Sequence, residues 1–157
     1  MTENEKTITK FYDAFADGDA SKMCACYHPN IEFRDPIFGS LKGNDVCSMW
    51  KMLMTKSNGN VKIKFSEVKA NDYQGSAVWE ATYNFSKNNR EVINRIRAEF
   101  FFKDGLIIRH TDDFDIWKWS KQALGIPGHL LGWTGYMQKK INENALHSLK
   151  KYQKTTA

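Results

Sequence analysis

The sequence lacks a long hydrophobic run. No apolar stretch among its 157 residues approaches the roughly 20 residues that a membrane-spanning helix needs. The charged and polar N-terminus also lacks the features of a signal peptide. From these absences we expect a cytoplasmic protein without a membrane partner.

Motifs that bind phosphates or metals are missing as well. Neither G-x-G-x-x-G nor G-x-x-x-x-G-K followed by Ser or Thr occurs, so no glycine-rich loop is offered to a nucleotide. No G-x-S-x-G turn supplies a nucleophilic serine. No spacing typical of metal ligands connects the four histidines, which are His28, His110, His129 and His147. We therefore expect no cofactor and no metal, and a metal site of Asp35, His110 and Asp112 is the least favoured alternative.

Cysteine is scarce, with three residues in the chain. Cys24 and Cys26 are separated by one residue, a spacing that matches no common zinc site. Free cysteine usually behaves as a small hydrophobic residue. We therefore expect Cys24, Cys26 and Cys47 to be buried free thiols.

Positive charge is in excess but lies mostly at one end of the chain. The formal net charge is +5, and residues 129–157 hold five lysines against one glutamate. The rest of the chain is nearly neutral and offers no basic groove, so we expect no nucleic-acid partner. A solvated helix face explains the basic tail better than an acidic partner does.

The apolar content is high and changes its period along the chain. Hydrophobic residues make up 41% of the sequence, too many for a disordered chain, and the length fits a single domain. Ile8, Phe11 and Phe15 follow a helical spacing, whereas apolar and polar residues alternate after residue 60. The pattern predicts an α+β fold, with helices near residues 8–15, 19–27 and 44–53, and strands at 31–35, 61–66, 77–85, 91–103 and 107–119.

The most informative stretch is IIRHTDDFDIWKW, which spans residues 107–119. Read as a strand, it places His110, Asp112 and Phe114 on one side. An ionised side chain among apolar strands needs a partner or a wet cavity. We hypothesise that His110 and Asp112 line a small-molecule pocket; a structural hydrogen bond is the alternative.

Asp35 is the second candidate, because it shares a strand face with Ile31 and Phe33. A carboxyl group in a dry site has a raised pKa and can act as a general base or acid near neutral pH. The alternative is a turn residue that caps the loop beginning at Pro36. We predict catalytic roles for Asp35, His110 and Asp112, above a floor of apolar ligand contacts formed by Phe11, Phe15, Phe33, Trp50, Trp79, Phe100 and Phe114.

Three motifs, FYDAFADGD, EFRDPIFG and FFFKDGLIIRHTDDFD, occur in an order and spacing that resemble the nuclear transport factor 2-like superfamily. The closer resemblance is to its SnoaL-like and ketosteroid isomerase-like branch, over about residues 5–120. It implies a cone, in which a curved antiparallel sheet wraps around three helices and leaves a ligand cavity at its open end. It also implies a homodimer formed through the outer face of the sheet, near Arg95, Arg97 and Phe101.

The resemblance does not fix the reaction. Asp35 matches the general base of ketosteroid isomerases, but the places of their oxyanion donors are taken by Phe11 and Ala98, which cannot donate a hydrogen bond. Asp112 matches a carboxylate of limonene epoxide hydrolase. Other polar catalytic residues of that enzyme are replaced in this chain, two of them by Trp79 and Ala81. Both catalytic sets are therefore incomplete.

Three functions stay open. The first is binding of an apolar small molecule with cofactor-free acid–base chemistry, such as isomerisation, cyclisation, dehydration or epoxide hydration. The second is a non-catalytic ligand-binding module, and the third is a protein-interaction scaffold.

We treat residues 1–157 as one domain with a C-terminal helical extension from about residue 121. The extension includes a helix from Leu130 to Tyr152, which could form a lid or a dimer arm, although packing against the outside or a partner is favoured.

Overall fold

The computed structural model of the protein describes residues 1–156, which form six helices and six strands. The helices are α1 (Glu3–Ala16), α2 (Ala20–Ala25), α3 (Asn44–Ser57), α4 (Ile116–Leu124), α5 (Ile126–Leu131) and α6 (Gly135–Thr156). The strands are β1 (Tyr27–Asp35), β2 (Gly39–Lys42), β3 (Lys62–Ala70), β4 (Gln74–Asn84), β5 (Glu91–Lys103) and β6 (Leu106–Asp113).

Helix α1 fills the inside of the fold. A capping box begins it: the Thr2 hydroxyl accepts a hydrogen bond from the Glu5 amide, and the Glu5 carboxylate accepts one from the Thr2 amide. The apolar stripe that follows is buried, with Ile8, Phe11 and Tyr12 all 0% exposed. This helix is therefore held by packing against the sheet and not by its own propensity.

The six strands form one sheet in the order β2-β1-β6-β5-β4-β3. Neighbouring strands are antiparallel except β1 and β6, which run parallel. Asp104 and Gly105 connect β5 to β6 with φ values of 55° and 75°, as the Asp-Gly pair predicts. The α+β cone is confirmed: the sheet is curved and unclosed, the N-terminal helices lie against it, and further helices follow it.

The two faces of the sheet differ in polarity. Along β5 every second residue is buried, from Val92 to Phe102, and the residues between them are exposed. Arg95, Arg97 and Phe101 lie on this exposed face, and Phe101 is 40% exposed. A homodimer through this surface stays a prediction.

The chain departs from the predicted strand after residue 113. The Asp115 carboxylate accepts a hydrogen bond from the Lys118 amide and caps α4, so Trp117 and Trp119 are helical. The prediction of a strand over residues 107–119 is therefore wrong after Asp113. The predicted break at Gly125 is present, but the last helix begins at Gly135 rather than near residue 130.

The cysteines are not all free. Cys24 on α2 and Cys47 on α3 form a disulfide, with their Cα atoms 5.8 Å apart, and both are only partly buried. The expectation of buried free thiols holds for Cys26 alone. It fails for the pair because α2 and α3 pack side by side, which the sequence spacing did not reveal. Disulfides are uncommon in the cytosol, and a cytoplasmic location stays a prediction.

No helix within residues 1–156 combines the length and apolar character needed to cross a bilayer.

Candidate active site

A cavity of about 480 Å³ lies between the concave face of the sheet and the helices α3 and α6. Its volume is in the range of small-molecule sites. Strands β4 and β5 form one wall, and the C-terminal part of α3 forms another. The wall is mostly apolar, and two carboxylates, Asp35 and Asp112, reach it.

Helix α6 completes the cavity. Met137, Ile141 and Ala145 line it from one face of this helix, and the Asn142 amide donates a hydrogen bond of 2.8 Å to the carbonyl of Ile37. The favoured expectation, that the C-terminal segment packs on the outside or on a partner, is therefore wrong for this helix. The alternative of a lid describes its position better.

The predicted apolar contacts divide into two groups. Phe15, Trp50, Trp79 and Phe114 line the cavity. The other three lie deeper, with ring centroids 4.6–5.5 Å from that of His110, and do not line the cavity: Phe11, Phe33 and Phe100.

Asp35 is both a turn cap and a cavity residue, the two alternatives that the sequence left open. Its Oδ1 atom accepts hydrogen bonds from the amides of Ile37 (2.9 Å) and Phe38 (2.6 Å), as a turn cap does. The same carboxyl group lines the cavity. Its Oδ2 atom makes no hydrogen bond within the described chain.

The pKa of Asp35 is raised from 3.8 to about 7. Burial of the carboxyl group is the largest cause, and the two amide hydrogen bonds oppose it. The nearby charge of Asp112 raises the pKa further. At neutral pH, Asp35 is therefore present in both its protonated and its ionised form.

Asp112 is held in place by two N–H donors. Its Oδ1 atom lies 2.8 Å from Nε2 of His110 and 3.3 Å from Nε1 of Trp79. The residue is only 3% exposed, yet it lines the cavity. Its Oδ2 atom makes no hydrogen bond within residues 1–156.

His110 lies behind Asp112 and does not reach the cavity. It is 0% exposed, and its Nδ1 atom lies 2.8 Å from the hydroxyl oxygen of Tyr27. That oxygen accepts a hydrogen bond of 3.0 Å from Nε1 of Trp50, so its own proton is free to go to Nδ1. Every group in this chain is satisfied when His110 is neutral and donates from Nε2 to an ionised Asp112. The hypothesis that His110 lines the pocket is wrong. Strand alternation predicts which face of the sheet a side chain is on, but it does not predict whether other side chains separate it from the cavity.

Asn94 and Tyr83 are among the polar residues that line the cavity and were not predicted as site residues. Asn94 is 9% exposed, lines the cavity, and has no side-chain hydrogen bond within the described chain. The Tyr83 hydroxyl accepts a hydrogen bond of 2.8 Å from Nε1 of Trp119, so its proton remains available to the cavity. The period-two pattern of β5 contains the signal for Asn94, since it shares the inward face with Ile96 and Ala98.

No group of three or more His, Cys, Asp or Glu side chains within residues 1–156 is arranged to hold a metal ion. Asp35 and Asp112 instead face a cavity with an apolar wall.

Together, the cone and its cavity define a class of α+β proteins that share an architecture rather than a reaction. The family model for the SnoaL-like domain matches residues 8–110. The chain belongs to this SnoaL-like family, and thus to the nuclear transport factor 2-like superfamily that its motifs predicted. None of the curated proteins matches the sequence.

Solved structures share the fold at low sequence identity. Bal32a, from a soil-derived mobile gene cassette, is 20% identical with a TM-score of 0.68, over 76% of this chain and 95% of that one. A candidate polyketide cyclase from Xanthomonas campestris pv. campestris is 19% identical with a TM-score of 0.61, over 76% and 96%. TerC, co-crystallised with polyporic acid, is 16% identical with a TM-score of 0.60, over 73% and 92%. About a quarter of this chain thus lies outside each superposition.

Proposed function

We propose that the protein binds an apolar small molecule in the cavity and moves a proton on it, with Asp35 as the general base and acid. The observation that carries this proposal is a carboxyl group open to a mostly apolar cavity with a pKa raised to about 7. A proton carrier works best when its pKa is near the working pH. Asp35 can therefore accept a proton from one atom of the ligand and return it to another.

The cavity also offers donors for the negative charge that such a step creates. Removal of a proton next to a carbonyl group leaves an enolate, whose oxygen needs hydrogen-bond donors. The Tyr83 hydroxyl and the Asn94 amide line the cavity, and neither side chain donates a hydrogen bond within the described chain. They offer what Phe11 and Ala98 cannot, from different positions in the fold.

His110 then acts as a positioning residue rather than as the acid. Its imidazole holds Oδ1 of Asp112 and is itself held by Tyr27. Asp112 keeps its free oxygen toward the ligand, where it can accept a hydrogen bond from a hydroxyl group. Its negative charge also keeps Asp35 protonated to higher pH.

The structural relatives support the reaction class at a coarse level. One carries the name of a candidate polyketide cyclase, and TerC was co-crystallised with polyporic acid. Both descriptions are compatible with an organic ligand held in the cone. Isomerisation and cyclisation through an enolate are the reactions that the donors and Asp35 would serve.

Exchange of carbon-bound protons tests this proposal without knowledge of the natural substrate. β-Tetralone has acidic protons beside its carbonyl group, and their replacement by deuterium in heavy water is followed by proton NMR. We expect the protein to accelerate the exchange, and Asp35→Asn to reduce the acceleration by about 10²-fold or more. Asp113→Asn is the matched control, because Asp113 is exposed beside the buried Asp112 and does not line the cavity.

Binding is measured separately from exchange. The neutral dye N-phenylnaphthylamine fluoresces in apolar surroundings, and β-tetralone should displace it from the wild type and from Asp35→Asn alike. Displacement with no exchange above the buffer rate would contradict the acid–base role and favour the non-catalytic binding module.

A further inference from the structure

Three lysines line the cavity from three different elements. Lys56 lies in the last turn of α3, Lys87 in the β4–β5 hairpin and Lys140 on α6. All three are exposed, whereas Asp112 is 3% exposed. The charge of the cavity lining therefore changes with depth, from ammonium groups at the mouth to carboxylates inside.

The positive charge at the mouth is not neutralised by the protein. Within residues 1–156, Lys56, Lys87 and Lys140 form no ion pair with a carboxylate. The pKa of Lys56 is lowered by partial burial and then by the charges of Lys87 and Lys151. Like charges are thus crowded at an opening between apolar walls, an arrangement that attracts anions.

From this arrangement we propose that the ligand is an amphipathic anion, whose apolar body fills the cavity and whose carboxylate or similar oxyanion meets Lys56, Lys87 and Lys140 at the mouth. The proposal rests on the proposed function, because it assigns the chemical class of ligand to the same cavity. Inside, the ligand is neutral or bears a hydroxyl group, since a second anion there would face Asp112.

Lysines that merely keep the surface soluble are the simpler explanation, and their positions argue against it. A solubilising lysine need not line a cavity, whereas these three line the same one from separate parts of the chain. Lys121 provides a comparison: it lies 3.9 Å from the centre of the Trp117 ring and outside the cavity.

Two dyes of nearly the same shape test the proposal. Anilinonaphthalene sulfonate has the ring system of N-phenylnaphthylamine with an added sulfonate group, and both fluoresce in apolar surroundings. We expect the anionic dye to bind more tightly than the neutral one at low salt. Raising the salt from about 0.05 M to about 0.5 M should remove this preference, since exposed charges are then screened.

Variants that remove the lysine charges test whether the preference for the anionic dye comes from the lysines at the cavity mouth. We expect the affinity for the anionic dye to fall by about 1.5- to 5-fold in each single variant, Lys56→Gln, Lys87→Gln or Lys140→Gln. In the triple variant it should fall by about tenfold or more. The affinity for the neutral dye should stay the same. Lys121→Gln is the matched control and should change neither affinity.

A cavity-filling variant shows where the dyes sit. Ala81 lines the cavity, and Ala81→Phe should reduce the binding of both dyes, with the fold checked by circular dichroism. Equal affinity for the two dyes in the wild type, or an unchanged preference in the triple variant, would overturn the anionic ligand but leave the cavity as a site. Binding of neither dye to the folded wild type would overturn the cavity as a ligand site, and with it both proposals.

Discussion

The Nε2 atom of His110 lies 2.8 Å from Oδ1 of Asp112, two residues along the same strand. Both side chains point to the concave face of the sheet, but only Asp112 reaches the cavity. The histidine is therefore a middle member of a polar chain that runs from Asp112 through His110 and the Tyr27 hydroxyl to the indole of Trp50. This chain fixes one carboxylate, while the other carboxylate, Asp35, is left to exchange its proton.

The same change, tyrosine to phenylalanine, should affect stability differently at two buried positions. Tyr27→Phe removes a hydroxyl that serves both His110 and Trp50, so we expect a loss of about 1–3 kcal/mol in the free energy of unfolding. Tyr12→Phe removes a buried hydroxyl that has no partner within residues 1–156, and it should be neutral or stabilising. Urea unfolding of both variants measures the difference. A Tyr12→Phe variant as unstable as Tyr27→Phe would contradict this description of the interior.

The raised pKa of Asp35 should make the folded state less stable as the pH rises. The folded protein holds this proton up to about pH 7, whereas the unfolded chain releases it near 3.8. Between these values the folded state binds more protons, so stability is greatest below about pH 4 for this group and falls until about pH 7. The shift corresponds to a penalty on the order of a few kcal/mol at pH 8.

Asp35→Asn should remove this penalty, because an amide oxygen can still accept from Ile37 and Phe38 but carries no charge. We therefore expect the variant to be more stable than the wild type at pH 8 and nearly equal to it at pH 4. Thermal unfolding at several pH values measures the difference. A difference that does not change with pH would show that Asp35 titrates normally.

Much of the site could be predicted, because strand alternation is a local property. The side of the sheet on which Asp112 lies follows from its spacing to His110, and the position of Asp35 follows from its spacing to Ile31 and Phe33. The depth of a side chain is not local: His110 is enclosed by Phe11 and other aromatic rings from distant parts of the chain. Sequence spacing carries no information about that enclosure.

The same limit explains the other differences. The disulfide joins residues 23 positions apart, and its formation depends on how α2 packs against α3. The position of α6 over the cavity depends on contacts such as that between Asn142 and Ile37, which are 105 residues apart. By contrast, the Asp104-Gly105 hairpin and the capping of α2 by Asp19 are local, and the structure has both.

Asp112→Asn should lower the pKa of Asp35, because the charge of Asp112 is one of the causes of its elevation. The amides of Ile37 and Phe38 donate to Asp35, so their nitrogen-15 chemical shifts should follow its titration. We expect their midpoint to move to lower pH in Asp112→Asn and to stay unchanged in Asp113→Asn. Equal shifts in the two variants would mean that the two cavity carboxylates do not interact.

Helix α6 should be needed for ligand binding, because Met137, Ile141 and Ala145 form part of the cavity wall. Ala145→Trp places a large side chain in the cavity, and we expect it to lower the affinity for N-phenylnaphthylamine by at least about tenfold. His147→Trp, on the exposed side of the same helix, is the matched control and should bind normally. Unchanged binding by Ala145→Trp would show that the ligand lies elsewhere.

The central claim is that the Asp35 carboxyl group carries a proton at neutral pH. Carbon-13 NMR of aspartate-labelled protein follows each carboxyl group directly, and Asp35→Asn identifies its signal. We predict a midpoint of about 7 for Asp35. A midpoint near 4 would mean that Asp35 is fully ionised at neutral pH, and the claim that it carries a proton there would be contradicted.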